Sequence, residues 1–199
     1  KVADWSGTTA PTVAFGQGYS LTAMQATSVF ATIANDGVRV SPTVIAGTSD
    51  SSGNYTPSAT RESVRVISAD TAGKMRLMME SVVSANGTAP SAAIPGYRVA
   101  GKTGTAQRID DTCGCYRGYT ASFIGFAPAD NPAYVISVTI QDPKGLHWGG
   151  YLGGPVFKKV MSFVLQSKGI APTGTKIIPI ALTEKQLIAA KEASSVKTN

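Results

Sequence analysis

The chain has 199 residues, enough for one ordinary domain with a real hydrophobic core, and 43% of them are hydrophobic, which is typical of a globular protein. The formal net charge is +6 at pH 7, but the lysines and arginines are scattered rather than clustered in runs. This pattern argues against nucleic-acid binding and favours a bland basic surface that would also tolerate an anionic polymer.

Neither a membrane span nor a signal peptide is evident in the sequence. No apolar run approaches the roughly 18 residues that a membrane-spanning helix needs, and residues 1–5 lack a signal-peptide pattern. The opening stretch begins abruptly, so we expect a fragment whose export signal or anchor lies on a segment outside this chain.

The first predicted helix follows a capping box. Thr22 and Gln25 have the spacing of an N-cap threonine and its glutamine partner, and Gly37 follows as a stop signal. These signals predict a helix of about fourteen residues. Residues 47–60 lack periodic apolar positions and are rich in turn formers, which predicts an exposed loop or hairpin tip.

A second helix is predicted to start near Ser68 or Asp70 and to stop by Gly87. Its apolar residues recur at spacings of three and four, at Met75, Met78, Met79, Val82 and Val83. A methionine stripe of this kind is more often part of a core than of a cofactor site.

Two strands and a helix follow in the last part of the chain. Residues 119–127 and 133–141 are rich in β-branched and aromatic side chains and flank a proline-containing turn, which predicts an antiparallel pair. Pro155 is expected at the first position of a helix that ends at Gly169. Its predicted apolar face consists of Val156, Val160, Phe163 and Val164. We therefore expect an α+β layered fold.

The sequence VAGKTGTAQ, residues 99–107, places polar and small residues where a half-buried strand is expected. Alternate side chains of an extended segment share a face, so Thr103 and Thr105 would present two hydroxyls beside the charge of Lys102. Such a strand edge suits a carboxylate. Gly104 would let a ligand backbone come close, and the amide of Thr105 is a candidate donor to a developing oxyanion.

This motif resembles the Lys-Thr-Gly motif of penicillin-binding proteins and serine β-lactamases. The segments GQGYSLTAMQATSVFATIANDGV before it and YTASFIGFAPADNPAYVISVTIQDP after it look like those of class B penicillin-binding proteins, and GGPVFKKVM also fits. Most of residues 13–168 resemble the division-associated transpeptidases in particular. The resemblance implies an α+β fold in which an antiparallel sheet packs against helices, with this chain supplying part of it.

The resemblance also implies roles for the motif residues. Lys102 would assist the proton relay and the electrostatics near the nucleophile. The hydroxyls of Thr103 and Thr105 would bind the carboxylate of a D-alanyl terminus or of a penicillin, and the Thr105 amide would donate to the oxyanion. We thus predict Lys102 and Thr105 as catalytic residues, and Thr103, Gly104 and Thr105 as substrate-binding residues.

The family's nucleophilic serine has no convincing match in this chain. Residues 194–197 spell Ser-x-x-Lys, but they follow the Lys-Thr-Gly strand and so reverse the family order. Residues 84–86 and 52–54 spell Ser-x-Asn, but the first reads as a helix stop and the second as a turn. We expect the nucleophile, its lysine and the true Ser-x-Asn motif on an upstream segment, and these 199 residues alone to be inactive.

Cys113 and Cys115 lie between the motif strand and the next strand. An oxidising setting permits a disulfide, but a closure across one residue demands a tight turn, so free thiols and pairing outside the chain are alternatives. Two cysteines and one distant histidine cannot supply four tetrahedral ligands, so we expect no metal. His147 is expected to be a surface loop residue beside Trp148 rather than a member of a catalytic triad.

Taken with the resemblance, these features imply a serine D,D-transpeptidase that cross-links peptidoglycan stem peptides and is acylated by β-lactam antibiotics. Its other partners would be the upstream segment and divisome proteins, with no cofactor and no nucleic acid, at the extracytoplasmic face of the cytoplasmic membrane. The alternative is a non-catalytic penicillin-recognising or divisome-binding module. Residues 1–170 are assigned to the transpeptidase portion, and residues 171–199 to a tail with a helical signal.

Overall fold

The computed structural model describes residues 5–59 and 61–173. Four helices and seven strands follow one another as α1 (Thr9–Ala14), α2 (Ala23–Ala34), β1 (Val38–Val40), β2 (Gly47–Ser49), β3 (Tyr55–Pro57), β4 (Ser63–Arg65), α3 (Ala69–Ser81), β5 (Ala100–Asp110), β6 (Cys115–Ala127), β7 (Tyr134–Gln141) and α4 (Gly149–Ser167) within these residues. A 3₁₀ turn at Pro90–Ala92 precedes β5. The predicted tail, with its Ser-x-x-Lys sequence at 194–197, lies almost entirely outside the described residues, and the division at residue 170 stays a prediction.

The central element is a three-stranded antiparallel sheet with the order β5-β6-β7. Ala121 of β6 is paired with Thr105 on one side and with Ile140 on the other. The antiparallel strand pair predicted from sequence is therefore confirmed. β6 begins at Cys115 rather than at residue 119, because the sequence from 115 to 118 continues the ladder with the end of β5.

Hydrophobic residues cover both faces of this sheet, since side chains alternate along each strand. On one face, α4 and the 3₁₀ turn pack over a cluster that includes Phe123, Ala127, Phe157, Met161 and Leu165. The rings of Phe123 and Phe157 meet edge to face with their centroids 4.9 Å apart. On the other face, α2 and α3 cover Ile33, Met79, Ala100, Phe126 and Ala129. The expected α+β layers are confirmed.

The helix starts follow the local signals in the sequence. Thr22 and Gln25 form the predicted capping box at the start of α2, and Ser68 caps α3 by accepting a hydrogen bond from the amide of Thr71. α2 has twelve residues instead of about fourteen, because the chain turns through Asp36 and Gly37 with positive φ before β1. The methionine stripe of α3 is only partly core: Met79 is buried, Met75 packs against the core cluster, and Met78 is exposed.

The start of α4 predicted from sequence is wrong. The helix begins at Gly149, and Pro155 lies inside it rather than at its first position. Glycine has a low helix propensity, so Gly149, Gly150, Gly153 and Gly154 gave no helical signal. These glycines instead let the helix approach the sheet closely, since a Cβ at residue 153 would come within 2.8 Å of the Phe123 Cβ.

The predicted apolar face of α4 is also wrong. The buried positions are Phe157, Met161 and Leu165, which are spaced by four residues and face the sheet. Val156, Val160 and Phe163 are exposed, and Val164 is half-buried. Both faces of the helix are apolar, so periodicity alone did not decide between them.

Two antiparallel hairpins of the chain end in short turns. Residues 47–57 form the β2–β3 hairpin, in agreement with the loop or hairpin tip predicted there, and the carboxylate of Asp50 accepts from the amides of Ser52 and Asn54 at its tip. Cys113 and Cys115 form a disulfide at the tip of the β5–β6 hairpin. Residues 108–118 are thus mostly strand, with only residues 111–114 between β5 and β6.

Candidate functional site

The Lys-Thr-Gly sequence lies in the middle of β5, at an edge of the central sheet. Thr103, Gly104 and Thr105 pair with Phe123, Ser122 and Ala121 of β6. No other strand among the described residues pairs with β5, so its outer edge faces away from the sheet. A ligand can therefore approach the motif along the backbone of an edge strand.

The lysine of the motif is exposed and turned back towards its own strand. Lys102 Nζ donates a 3.0 Å hydrogen bond to the carbonyl oxygen of Thr103 and lies 3.4 Å from the Thr103 hydroxyl. The ammonium and the hydroxyl thus occupy one site. This pair places a positive charge and a hydrogen-bond donor side by side, which suits an anionic group.

Both threonine hydroxyls of the motif have a partner from a distant part of the chain. Thr103 Oγ1 lies 3.2 Å from Thr88 Oγ1, in the segment between α3 and the 3₁₀ turn. Thr105 Oγ1 accepts a 3.2 Å hydrogen bond from the amide of Gly149, the first residue of α4. Because a hydroxyl has one hydrogen to give, the Thr105 hydroxyl keeps its hydrogen for another acceptor.

Glycines bring α4 and the motif strand into close contact. A Cβ at Gly149 would overlap the carbonyl oxygens of Ser122 and Gly104, and a Cβ at Gly150 would overlap the carbonyl oxygen of Thr88. A Cβ at Gly104 would lie 2.5 Å from Ser122 Oγ. Side chains at positions 149 and 150 would push α4 away from the strand, so the hydrogen bond from Gly149 depends on their absence.

A cleft of about 640 Å³ lies beside the motif. One wall consists of Lys102, Thr103, Gly104, Thr105 and Ala106 of β5, with Ser122 and Ile124 of β6 behind them. The opposite wall is formed by residues between 13 and 30, several of them exposed apolar side chains: Phe15, Tyr19, Leu21 and Val29. All four predicted site residues therefore line one cleft.

Aromatic rings lie near the start of α4. His147 stacks on Tyr119 of β6 with ring centroids 4.0 Å apart and an interplanar angle of 8°, and its ring lies 4.8 Å from that of Trp148. The expectation of a surface loop histidine is only partly correct, because His147 is half-buried by this stacking. Its Nδ1 lies 3.3 Å from the Gly145 carbonyl.

Two carboxylates close to the far end of the β5–β6 pair are held in the ionised form. A hydrogen bond from the Thr112 hydroxyl, then one from the Thr112 amide, lowers the pKa of Asp110. A hydrogen bond from Lys144 Nζ lowers the pKa of Asp142, and the charge of Arg108 contributes to both. Ionised carboxylates accept hydrogen bonds, so they stabilise these turns and are not proton donors at neutral pH.

The two Ser-x-Asn sequences within the described residues, at 84–86 and 52–54, make only local contacts. Ser84 Oγ donates to the Ser81 carbonyl in the turn after α3. Ser52 and Asn54 belong to the tip of the β2–β3 hairpin, where their amides bind Asp50. Neither match lines the cleft beside Lys102. No group of three or more histidine, cysteine or acidic residues in the described part of the chain is arranged to hold a metal ion.

Comparison with known proteins identifies the family of this chain. A family model described as the penicillin binding protein transpeptidase domain matches residues 2–162. The chain belongs to this family. The resemblance drawn from the Lys-Thr-Gly strand and its flanking segments is therefore confirmed.

Relatives of the chain are class B penicillin-binding proteins. Penicillin-binding protein PbpB of Mycolicibacterium smegmatis is 42% identical over 176 residues, which are 83% of this chain and 27% of the relative. Stage V sporulation protein D of Bacillus subtilis is 37% identical over 172 residues, 83% of this chain and 26% of the relative. The chain spans about a quarter of the length of these relatives. The expected division-associated subgroup is confirmed.

Solved structures confirm the transpeptidase fold. Penicillin binding protein 3 from Mycobacterium tuberculosis, complexed with ampicillin, has a TM-score of 0.83 and 38% identity, covering 92% of this chain and 43% of that chain. The transpeptidase domain of Burkholderia pseudomallei penicillin-binding protein 3 has a TM-score of 0.72 and 34% identity, covering 89% of this chain and 50% of that chain.

Two features of this candidate site were not found from the sequence. Thr88 lies fifteen residues before Thr103 and has no motif of its own. Gly149 contributes a backbone amide, which any non-proline residue would supply, so its side-chain type carries no chemical signal. The glycine-rich stretch at 149–154 was the available signal, since clustered glycines inside a helix indicate a close approach to another element.

Proposed function

We propose that this chain is the C-terminal portion of a serine D,D-transpeptidase that cross-links peptidoglycan stem peptides and is acylated by β-lactams. The observation that carries the proposal is the edge strand on which Lys102 and the hydroxyls of Thr103 and Thr105 line one cleft. A structural relative has been solved in complex with ampicillin, which supports β-lactams as a ligand class of this chain.

In the proposed reaction, a serine oxygen attacks the carbonyl of the penultimate D-alanine, and its proton passes to a nearby base. Collapse of the tetrahedral intermediate releases the terminal D-alanine and leaves an acyl-enzyme. An amine of a neighbouring stem peptide then attacks the ester, which restores the serine and forms the cross-link. A β-lactam enters the first step but has no leaving group that departs, so its acyl-enzyme persists.

The residues of this chain would bind and stabilise rather than attack. Lys102 and the Thr103 and Thr105 hydroxyls would hold the substrate carboxylate, and Lys102 would lower the energy of negative charge near the nucleophile. The Thr105 amide would be one oxyanion donor. Removing a donor of this kind from an acyl-transfer enzyme costs about 10²–10³ in rate.

We further propose that the nucleophilic serine lies on an upstream segment that packs into the cleft beside β5. Phe15 and Val29 on the wall opposite the motif are 70% and 53% exposed, and they line the cleft that holds Lys102. A second apolar cleft of about 590 Å³ lies between α2 and α3. Exposed apolar side chains grouped in this way favour contact with other protein, and a helix carrying the serine would cover those beside Lys102.

The proposed location is the extracytoplasmic face of the cytoplasmic membrane, with the anchor outside this chain. The Cys113–Cys115 disulfide supports this location, because disulfides persist in oxidising compartments. No helix in the described ranges is long and apolar enough to cross a membrane. Divisome proteins are proposed partners because of the similarity to division-associated relatives.

Labelling with fluorescent penicillin tests the proposal. The full-length protein and the 199-residue chain are incubated with the probe and denatured, and the labelled peptide is identified by mass spectrometry. We expect label on a serine upstream of this chain, and none on the 199 residues alone. Label on a serine within these residues would refute the upstream nucleophile, and no label on either protein would favour the non-catalytic alternative.

A further inference from the structure

We propose that Thr88 is a positioning residue that orients the Thr103 hydroxyl towards the carboxylate of the ligand. This inference rests on the proposed function, because it assumes that the motif binds a carboxylate. Its structural basis is the 3.2 Å approach of the Thr88 and Thr103 hydroxyl oxygens, which join two segments fifteen residues apart.

The numbers of hydrogen-bond donors and acceptors determine which hydroxyl donates in the Thr88–Thr103 contact when a ligand carboxylate is bound. A threonine hydroxyl has one hydrogen and two acceptor lone pairs, whereas the lysine ammonium only donates. Lys102 Nζ lies 3.4 Å from Thr103 Oγ1, so Thr103 accepts there. If Thr103 gives its hydrogen to a ligand carboxylate, it must also accept from Thr88. Thr88 then donates, and the Thr103 hydrogen points away from Thr88.

The other hydroxyl of the motif has the same arrangement. Thr105 Oγ1 accepts from the Gly149 amide, which is a fixed donor of the backbone. Each hydroxyl therefore accepts a hydrogen bond from within the protein and can donate its own hydrogen to a ligand in the cleft. Two hydroxyls oriented in advance lose less entropy when a carboxylate binds than two freely rotating ones.

Thr88 is itself held by its neighbours on both sides. The amide of the fully buried Ala89 donates a 2.9 Å hydrogen bond to the Val82 carbonyl at the end of α3. Ser91 Oγ donates a 3.0 Å hydrogen bond to the Gly150 carbonyl of α4. The segment is thus fixed to two helices, which gives the Thr88 hydroxyl the rigid support that a positioning role requires.

The test compares acylation of full-length protein by benzylpenicillin and by its methyl ester, whose carboxylate charge is removed. Thr88→Val deletes the hydroxyl and keeps the shape of the side chain, and Thr88→Ser retains the hydroxyl. We expect Thr88→Val to lower the second-order acylation rate for benzylpenicillin about tenfold, the effect of losing one hydrogen bond, and to leave the rate for the ester within about twofold. Thr88→Ser should stay within about threefold of wild type for both ligands.

Ser84→Ala is the matched control, since it deletes a hydroxyl of the same connecting segment whose partner is the Ser81 carbonyl. It should leave the benzylpenicillin-to-ester ratio unchanged. Equal losses for both ligands in Thr88→Val, or a wild-type rate for benzylpenicillin, would overturn the positioning role while the proposed function stands. If neither benzylpenicillin nor its methyl ester acylates the full-length wild-type protein, the proposed function and this inference are both overturned.

Discussion

At the scale of single residues, a buried ion pair connects α3 to the entrance of the motif strand. Glu80 is 1% exposed and accepts two hydrogen bonds from the guanidinium of Arg98, at 2.8 Å from Nε and 2.5 Å from Nη2. The hydrogen bond to Glu80 raises the pKa of Arg98, opposed by the burial of the side chain. Arg98 precedes β5 by two residues, so this pair fixes where the strand begins.

Replacing Arg98 with Met should destabilise the full-length protein strongly. The change leaves the Glu80 carboxylate buried without its partner, which costs about 3–5 kcal/mol in comparable cases. Urea unfolding measures the loss, and the double variant Glu80→Leu with Arg98→Met should recover much of it. Lys74→Ala is the control: its side chain is 70% exposed and that of its partner Asp70 is 72% exposed, so we expect at most about 1 kcal/mol. Equal losses for Lys74→Ala and Arg98→Met would contradict the role of burial.

Lys102→Ala should slow acylation by penicillin at least a hundredfold, a typical cost for removing an electrostatic or proton-transfer group. The fold should stay intact, because the Lys102 side chain is exposed and its only hydrogen bonds are to Thr103 within the described contacts. Stopped-flow acylation and circular dichroism measure the two effects. Lys159→Ala, an exposed lysine of α4, is the control. Unchanged acylation in Lys102→Ala would remove this lysine from the proposed mechanism.

At the scale of secondary-structure elements, the contact between α4 and β5 depends on glycine. Gly149→Ala should lower stability by about 1–3 kcal/mol, the usual cost of overpacking. It should also reduce acylation by about tenfold or more, because a displaced α4 no longer donates to Thr105. Thermal unfolding and acylation rates of the full-length protein provide both measurements.

Gly73→Ala is the matched substitution in α3. The nearest atom to a Cβ there is Arg76 Nη2 at 4.0 Å, so the added methyl group meets no obstacle. Alanine is the better helix former, and we expect a gain of about 0.5–1 kcal/mol with unchanged acylation. If Gly149→Ala behaves like Gly73→Ala, the close packing of α4 against the motif strand is not required for the site.

The tip of the β5–β6 hairpin should respond to pH through Asp110. Its pKa lies below the ordinary value of 3.8, chiefly because the Thr112 hydroxyl and amide bind the carboxylate. A carboxyl whose pKa is lowered by folding stabilises the folded form above its unfolded pKa, and this contribution is lost as the pH falls through the folded pKa. Thr112→Val should raise the Asp110 pKa towards 3.8 in an NMR titration. An unchanged pKa would show that the hydroxyl bond is not formed in solution.

At the scale of the whole molecule, the sequence predicted what local signals determine and missed what tertiary contacts determine. The caps at Thr22 and Ser68 are local hydrogen bonds, so both helix starts were predictable. The start of α4 was not predictable in this way, because Gly149 has a poor helix propensity and its place depends on the sheet beneath it.

The residues of the candidate site also differ in whether local sequence signals could predict them. Lys102, Thr103 and Thr105 are consecutive or alternate residues of one strand, so their shared edge followed from the spacing and from the family resemblance. Thr88 reaches Thr103 only after the chain has passed through the 3₁₀ turn and entered β5. Such a contact has no periodicity in the sequence, and it becomes visible only when the two segments are placed in space.

The attachments of β5 also decide which side of the cleft can yield. The strand is bound to α3 through Arg98 and Glu80, and to α4 through the Gly149 amide. On the opposite wall, α1 buries none of its residues. Local opening costs least where few contacts are lost. The motif side of the cleft is therefore fixed by contacts within this chain, whereas the wall that contains α1 depends for its rigidity on the proposed upstream segment.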